Sequence, residues 1–352
     1  MKYKLADIFD LQMGKTPSRN NLEYWRTTDN KWISIGDLSQ SGKYIYDTKE
    51  YLSDNAVKES GIKIIPANTV VMSFKLSIGK TAITHEDMYS NEAIMAFRDR
   101  QVVEMLPEYI YYMFKFRDWD SGTNKAVMGK TLNKATLSLV EVDICGIEKQ
   151  REIVKILDKV TAILDNRKEE LEQLDLLIKA RFVEMFGDPI TNTQNLETKN
   201  LKDVLVLKAG DFTAASDISE EQNETSRYPC YGGNGIRGYV AEYNQEGEYS
   251  LVGRQGALSG NVQYACGKFK NTEHALLVTP SIEMNSIWLN QLLLNLDLKR
   301  YQTGAAQPGL SVKNLQEIQI IMVPIDEQKT FAAFVAQVNK SKVIVATILI
   351  VN

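Results

Sequence analysis

The sequence predicts an α+β protein with two homologous, mixed but β-rich domains, separated by long helices that form an antiparallel coiled coil. Three observations predict this fold. The chain repeats itself, each copy alternates short β-branched and aromatic runs with turn residues, and each copy ends in a long helix with apolar residues at coiled-coil spacing. At 352 residues, 44% of them hydrophobic, the chain is long enough for two separate cores.

The repeat is clearest in one phrase. The run from Val142 to Gln150, an apolar strand entering a charged helix, returns from Ile320 to Gln328, which is 178 residues later. Gly79 returns as Gly260 at nearly the same offset. A period this long exceeds that of solenoid repeats, so it indicates two homologous domains. Two related surfaces in one chain favour a target with two parts.

The first domain is expected at residues 1–146 and the second at 196–324. Alternating apolar runs predict short strands, and two amphipathic runs predict helices. In the first domain the strands are expected at 32–35 and 69–72 and the helix at 107–115; in the second, the strands at 249–252 and 275–278 and the helix at 287–298.

A spacer helix is predicted over 147–187. Apolar residues recur every seven positions, Arg167 and Arg181 interrupt the alternate seam position, and Gly187 and Pro189 end the helix. Residues 148–186 would extend roughly 58 Å. The seam continues in a second, shorter helix over 325–352. The residues expected at the seam, or at a docking site for a partner, are Ile153, Leu157, Val160, Leu164, Arg167, Leu171, Leu174, Ile178, Phe331, Val335 and Val338.

The second helix carries no charged residue after Lys342, which is itself an exception in the apolar seam. The matching part of the first helix is strongly polar. We therefore expect either a truncated or altered C-terminus, or a surface that another chain covers.

Catalytic chemistry has little support in the sequence. Gly-Lys-Thr occurs three times, but a phosphate-binding loop needs a glycine five residues earlier, where Phe9, Phe74 and Asn124 stand. Two histidines and three scattered cysteines provide neither a zinc set nor a disulfide framework. DNA amino-methyltransferases carry a Pro-Pro motif, which is absent. We therefore expect no catalytic residue and no metal site.

The cellular location follows from two negative observations. The N-terminus has no apolar segment of the signal-peptide type, and the longest apolar run is too short to cross a bilayer. The chain is therefore expected in the cytoplasm. Its net charge of −4 argues only weakly against nucleic acid, because local basic patches act within an acidic whole.

Both domains contain glycine-rich polar loops with side chains that pair with base edges and phosphates. For a single loop the simpler interpretation is a solvated turn, but similar loops at matching positions favour recognition. Trp25 and Trp32 are expected to anchor the core or a loop. The candidate DNA-binding residues are Lys15, Thr16, Ser18, Arg19, Lys75, Lys80, Lys125, Lys130, Asn234, Arg237, Arg254, Gln255 and Gln307.

These segments resemble a known family in their order along the chain. The run Gly14-Lys-Thr-Pro-Ser18, followed by Tyr24-Trp25 and Trp32-Ile-Ser-Ile-Gly-Asp37, resembles the start of a target-recognition domain of a type I restriction-modification specificity subunit. Tyr231-Gly-Gly-Asn-Gly235, Gly253-Arg-Gln-Gly-Ala257 and Val323-Pro-Ile-Asp-Glu-Gln328 resemble a second such domain. Phe186-Gly-Asp-Pro189 resembles the usual exit from the central helix.

The resemblance implies a noncatalytic bacterial DNA-binding subunit. Such a subunit reads a bipartite double-stranded target with its two domains, and its helices dock methyltransferase subunits. Restriction subunits join them. It implies no cofactor in this chain, S-adenosylmethionine in the methyltransferase subunits, and ATP and Mg²⁺ in the restriction subunits.

Three other interpretations remain open at this point. The chain could be a noncatalytic two-domain scaffold for a non-DNA partner, or a self-contained methyltransferase or nuclease. It could also be a truncated or silent specificity cassette.

Overall fold

The computed structural model describes residues 1–75, 77–119, 132–304 and 309–350, with side chains described as far as residue 345. The chain divides into two compact units, Met1–Ile163 and Leu164–Asn352. The division falls within the long central helix, so each unit contains part of that helix. The domain boundaries expected from the sequence therefore remain proposals.

The first unit consists of short strands, short helices and the first part of the long helix. Its strands are β1 (Lys2–Lys4), β2 (Phe9–Met13), β3 (Asn30–Ile33), β4 (Tyr44–Ile45), β5 (Glu50–Leu52), β6 (Val70–Ser73), β7 (Thr81–Thr84), β8 (Tyr89–Ser90), β9 (Ile94–Asp99) and β10 (Glu141–Asp143). Its helices are α1 (Leu5–Ile8), α2 (Ile35–Gln40), α3 (Asp54–Ser60), α4 (Pro107–Lys115), α5 (Lys134–Ser138) and the start of α6 (Ile147–Phe186).

Two sheets form the body of this unit. The larger has the order β2-β9-β6-β7-β4, and the smaller has the order β5-β3-β8. Their strands carry β-branched and aromatic residues on buried faces, which is the composition that favours strands. Helix α4 packs against β6 and β7, and Phe9, Phe97 and Phe114 meet edge to face at its core. Strand β1 pairs with β10, so the domain begins and ends side by side.

The second unit repeats this plan with longer strands. Its strands are β11 (Thr198–Asn200), β12 (Leu205–Ala209), β13 (Tyr228–Gly232), β14 (Gly235–Val240), β15 (Gln245–Gly253), β16 (Val262–Asn271), β17 (Ala275–Pro280) and β18 (Gln319–Ile321). Its helices are α7 (Leu201–Val204), α8 (Ser286–Asn295), α9 (Val312–Gln316) and α10 (Ile325–Ile350).

The sheet order of the second unit confirms the internal repeat. Its six strands follow the order β12-β17-β15-β16-β13-β14, whose first four match β2-β9-β6-β7 of the first unit. In both sheets the fifth strand joins in parallel, β4 beside β7 and β13 beside β16. Strand β11 pairs with β18, as β1 does with β10. Both expected domain helices and the strands expected at 69–72, 249–252 and 275–278 are present with small shifts in their limits. The strand expected at 32–35 ends at Ile33, because Ser34 caps helix α2.

Helix α6 is continuous over 40 residues, close to its predicted limits. Gly187 ends it with a left-handed backbone, and its N–H bonds to the carbonyl of Val183. The predicted seam is less exposed than its surroundings except at Val160, which is 39% exposed. Thr161 lies on the less exposed side instead. Val160 was expected at the seam or at a docking site for a partner; its exposure favours the second of these, which stays a prediction.

Within the second unit, the end of α6 packs against α10 in antiparallel fashion. Phe182 and Phe186 meet Phe331 near the start of α10, with ring centroids 5.5 Å and 5.7 Å apart. Further along α10, Lys342 Nζ lies 2.5 Å from Oδ1 of Asp175, which is earlier in α6. Lys342 therefore interrupts the apolar seam because it forms an ion pair across it.

The two seam arginines of α6 also have partners. Arg167 pairs with Glu170 one turn further along the helix. Arg181 pairs with Glu184, and its guanidinium lies 5.8 Å from the ring centroid of Phe334. Among the described residues, no helix is long and apolar enough to cross a membrane.

Candidate nucleic-acid interface

Several loops of the second domain meet at one end of its sheet. Gly253, at the end of β15, touches the turn between β13 and β14 so closely that an added Cβ would lie 2.3 Å from the carbonyl oxygen of Gly233. The backbone N–H of Arg254 bonds to the carbonyl of His274 at 3.1 Å, which joins the loop between β16 and β17. Three of the sheet's connections therefore form one surface.

A fourth loop, between α8 and α9, completes this surface. The N–H of Leu310 bonds to the carbonyl of Arg254 at 2.9 Å, and Gln255 forms a β-bridge with Gly309. The side-chain amide of Gln302 donates to the carbonyl of Ser259 at 2.6 Å. The loops that the sequence analysis singled out thus come together, although Gln307 lies outside the described residues.

The side chains of this surface form an amide-rich cluster. Asn261 donates to Oδ1 of Asn234 at 2.7 Å, and His274 Nδ1 lies 3.2 Å from Oε1 of Gln255. His274 Nε2 lies 3.1 Å from a carboxylate oxygen of Glu273. Exposed amides have one donor and one acceptor group each, which is the pattern that pairs with the edge of adenine.

Two arginines flank this cluster in different environments. Arg237 is exposed and lies over Gly232, where a Cβ would come within 2.5 Å of its Cδ. Arg254 is half-buried, and its guanidinium lies 3.5 Å from the carbonyl oxygen of Glu273. Burial raises the pKa of the Cys230 thiol, although the charge of Arg237 acts to lower it. Arg237 is the better placed of the two for contacts outside the protein.

The loop that follows β12 lies beside the same surface. Gly210 approaches Asn271 so closely that a Cβ would lie 2.1 Å from its carbonyl oxygen. Asp211 accepts a hydrogen bond from Asn244, which lowers its pKa against the effect of burial, and the charge of Lys270 lowers it further. The next residue, Phe212, is 78% exposed. A well-anchored loop therefore presents a phenyl ring to solvent.

The first domain builds the equivalent loop with the same close contact. A Cβ on Gly14 would lie 2.2 Å from the carbonyl oxygen of Asn91, and the N–H of Lys15 bonds to the carbonyl of Ser90 at 2.8 Å. These contacts match those of Gly210 and Asn271 in the second domain. The loop from Gly14 to Arg19 therefore occupies the corresponding position in the repeat.

Two tryptophans hold this loop in place, as the sequence analysis expected. Trp32 Nε1 donates to the carbonyl of Lys15 at 3.1 Å, and Trp25 Nε1 donates to the carbonyl of Ser18 at 3.1 Å. The Arg19 guanidinium lies 3.6 Å from the centroid of the Trp25 ring and makes a bidentate ion pair with Glu50. Arg19 thus shapes the loop through contacts within the domain.

Lys15 and Thr16 of this loop also have partners within the domain. Lys15 Nζ donates to the carbonyl of Ser60 at 2.5 Å, and the Thr16 hydroxyl donates to the Glu92 carboxylate. The hydrogen bond from Thr16 lowers the pKa of Glu92 despite the opposing effect of burial, and the charge of Lys75 lowers it further. The carboxylate of Glu92 is therefore ionised near neutral pH.

The turn between β6 and β7 carries the next two candidate residues. Lys75 is half-buried, with its Nζ 5.6 Å from the Phe74 ring centroid. Lys80 donates to the hydroxyl of Ser39. This turn corresponds to the loop of Arg254 and Gln255, since Gly79 and Gly260 have the same left-handed backbone. The candidates Lys125 and Lys130 lie outside the described residues.

The part of the chain that the structure describes contains no group of three or more His, Cys, Asp or Glu side chains placed to hold a metal ion. Cys145, Cys230 and Cys266 are free thiols. The polar residues that the folding brings together are amides, arginines and single carboxylates on loops. That set is suited to hydrogen bonding with a ligand's surface.

Comparison with known proteins decides the family. The family model described as "Type I restriction modification DNA specificity domain" matches residues 1–175 and again residues 193–350. The chain belongs to this family. It is therefore related to the specificity subunits, which are the noncatalytic parts of type I restriction-modification complexes.

Individual relatives support this assignment. The EcoprrI specificity subunit of Escherichia coli is 31% identical over 94% of this chain and 85% of its own length. The MjaIX specificity subunit of Methanocaldococcus jannaschii is 28% identical over 61% of this chain and 54% of its own length.

The fold is also that of solved specificity subunits. The S subunit of a type I system from M. genitalium aligns over 99% of this chain and 93% of its own, with a TM-score of 0.53 and 17% identity. A chain from a structural study of type I complex assembly aligns over 97% of this chain and 90% of its own, with a TM-score of 0.55 and 14% identity. Both support the α+β architecture described above.

In a specificity subunit, several further residues on these surfaces become candidates for DNA recognition, although the sequence alone did not select them. They are Glu92 and Glu273, at matching positions of the repeat, with His274, Asn261 and Phe212 on the second domain. The spacing of the repeat could have found the two glutamates. The others needed the fold, since only the fold places them beside the glycine-rich loops.

Proposed function

We propose that this chain reads a bipartite DNA sequence as the specificity subunit of a type I restriction-modification complex, each domain recognising one half. The observation that carries the proposal is the repeated surface. In each domain a glycine packed against a backbone carbonyl, Gly14 or Gly210, starts a loop, and a hairpin turn of the same sheet contains a left-handed glycine, Gly79 or Gly260. Two such surfaces in one chain fit a target with two parts.

The second domain supplies the better-defined reader. Arg237 is suited to a bidentate contact with guanine, and Asn234 or Gln255 to a contact with adenine. Glu273 and Glu92 could accept from the amino group of cytosine. Lys75 would contact a phosphate and help to set the position of the first domain on the duplex. Because the proposed target is cellular DNA, we place the chain in the cytoplasm.

The helices are proposed as the docking site for methyltransferase subunits. In the first unit, Ile156, Val160 and Ile163 lie on one stripe of α6 and are 53%, 39% and 50% exposed. Their spacing of four and three residues places them on one face. In the second unit, Leu176 and Val183 of α6 are 56% and 41% exposed. A solvated helix gains by covering such a stripe with a partner.

The cofactors of the proposed reaction belong to the partners. S-adenosylmethionine would bind the methyltransferase subunits, while ATP and Mg²⁺ would bind the restriction subunits. This chain's own residues would bind the target, hold it in register and orient it. Val160 is more exposed than the other seam residues, so we assign it to the docking stripe of α6.

The test is methylation mapping of DNA from cells that co-express this chain with its cognate methyltransferase subunit. We expect adenine methylation at a split motif with a fixed gap. Arg237→Ala and Arg254→Ala should change one half of the motif and leave the other half intact. A soluble complex that methylates no split motif would overturn the proposal.

A further inference from the structure

Two buried glutamines occupy matching positions in the first turn of each long helix. Gln150 of α6 is 0% exposed and Gln328 of α10 is 2% exposed. A buried primary amide has two donor hydrogens and an acceptor oxygen, and each group left without a partner costs stability. The hydrogen bonds of these two amides therefore show which backbone groups each glutamine joins.

Gln150 joins three segments of the first domain. Its Oε1 accepts from the backbone N–H of Leu106 at 2.9 Å. Its Nε2 donates to the carbonyls of Cys145 at 2.8 Å and Glu104 at 3.0 Å. Leu106 is the N-cap of α4, and Cys145 follows β10. One side chain thus ties the start of α6 to the start of α4 and to the end of the domain.

Gln328 repeats this arrangement in the second domain. Its Oε1 accepts from the backbone N–H of Asn285 at 2.9 Å, and its Nε2 donates to the carbonyl of Val323 at 2.9 Å. Asn285 is the N-cap of α8, and Val323 follows β18. The same amide, helix start and strand exit are therefore joined in both copies of the repeat.

The helices held by these glutamines carry the sheets that present the candidate DNA-reading loops. Helix α4 packs against β6 and β7, whose connecting turn contains Lys75. Helix α8 packs against β15 and β16, whose connecting loop contains Gln255. Each glutamine therefore links its long helix to the reading surface of the same domain.

We propose that Gln150 and Gln328 are positioning residues that fix the angle of each recognition domain on its long helix, and thereby the gap between half-sites that the complex accepts. The inference rests on the proposed function. Each base pair added to the gap turns a half-site by about 34–36° around the duplex axis. A domain whose angle is held by the hydrogen bonds of its glutamine resists such a turn.

The test uses the full complex and DNA substrates that carry the mapped motif with its natural gap or with one base pair added or removed. Gln150→Met and Gln328→Met keep the length of the side chain and remove the amide. The measured quantity is the ratio of initial methylation rates on the natural and altered gaps. This ratio does not depend on how much of a preparation is folded.

Buried amides that bond only within a domain supply the matched controls. Gln12 is 7% exposed and donates to the carbonyls of Lys63 and Ile64, so Gln12→Met removes a comparable amide from the first domain. Asn290 is 6% exposed and donates to the Ser250 hydroxyl, so Asn290→Leu does the same in the second. Both should keep the gap preference of the wild type.

We expect the ratio to fall about tenfold in Gln150→Met and Gln328→Met, because discrimination is a difference between two binding free energies. If either variant gives no soluble complex, Gln150→Asn and Gln328→Asn keep an amide that is too short to reach every partner, and the ratio should still fall. An unchanged ratio in the substituted complexes, or an equal fall in the controls, would overturn the inference. A wild type that methylates no split motif would remove the proposed function and this inference with it.

Discussion

The two recognition domains share a sheet order but differ in how their loops use polar side chains. In the first domain, Lys15 and Arg19 bond to Ser60 and Glu50 of the same domain. In the second, Arg237 and Gln255 are exposed beside the glycine-rich turns. The first loop therefore uses its cations to hold its shape, while the second presents its polar groups to solvent. A basic residue in a glycine-rich loop does not by itself indicate a DNA contact.

The largest effect is expected at the glycines that both domains share. Gly14→Ala and Gly210→Ala would each place a Cβ about 2 Å from a backbone carbonyl oxygen, so we expect each to lose about 3 kcal/mol of stability and the reading of its half-site. Urea unfolding and methylation mapping would measure both losses. Gly42→Ala is the control, since nothing lies within 4 Å of its Cβ position. If both variants unfold with the same free energy as the wild type, the close contact at these glycines does not stabilise the domains.

Substituting an arginine should have a different main effect in each domain. Arg237→Ala is expected to weaken binding to the second half-site by about 2 kcal/mol while leaving protein stability within about 0.5 kcal/mol. Arg19→Ala is the matched substitution in the first domain, where it should mainly lower stability, because Arg19 stacks on Trp25 and pairs with Glu50. DNA competition binding and thermal unfolding would measure the two effects. A loss of stability alone in Arg237→Ala, together with a loss of DNA affinity alone in Arg19→Ala, would contradict this difference between the domains.

A smaller effect is expected at Phe212. We expect Phe212→Ala to lower affinity for the second half-site by about 1 kcal/mol, because an exposed phenyl ring can contact a thymine methyl group or a base face. Val206→Ala, in the preceding strand, replaces another apolar side chain that is 54% exposed and should leave binding unchanged. Equal affinities for Phe212→Ala and the wild type would exclude this ring from recognition.

The smallest effect concerns the attachment of the first domain to α6. Asp158 accepts from Lys43 and Tyr112, whose hydrogen bonds lower its pKa although burial acts to raise it. Burial and the bond to Asp158 raise the pKa of Tyr112 to about 12. Asp158→Asn should cost at most about 1 kcal/mol at pH 7, since the carboxylate is partly exposed to solvent.

The pH dependence of this effect has a definite sign. Because the folded pKa of Asp158 lies below its unfolded value of about 3.9, its contribution is fully present above that value. It is lost as the pH falls through the lower folded value. The difference in unfolding free energy between Asp158→Asn and the wild type should therefore shrink in acid. A difference that is constant from pH 7 to pH 3 would contradict this assignment.

Much of the fold could be predicted because its signals are local or periodic. The repeat of Val142–Gln150 at Ile320–Gln328 predicted two domains, and the heptads predicted α6 within one residue at each end. The heptads did not indicate that Val160 is more exposed than the other seam residues. The family resemblance came from motifs in a fixed order, which the comparisons confirmed.

The detail of the candidate sites could not be predicted, because it depends on contacts between distant residues. The Thr16–Glu92 hydrogen bond joins residues 76 positions apart, and no spacing rule predicts such a pair. Arg19 was predicted as a DNA contact from its loop, and the sequence did not show that its guanidinium stacks on Trp25 and pairs with Glu50. The sequence showed Gln150 as part of a repeated phrase without indicating that it is buried.

The pairing of the first and last strands of each domain has a consequence for synthesis on the ribosome. Strand β1 can pair only after Asp143 has been made, and the second core needs Phe331 and Val335 from α10. The first domain can therefore close while the second is still being translated. The second must wait for nearly the whole chain. Until then its apolar surface is open to aggregation, so an early stop codon within α10 should leave the first domain folded and the second a target for chaperones and proteases.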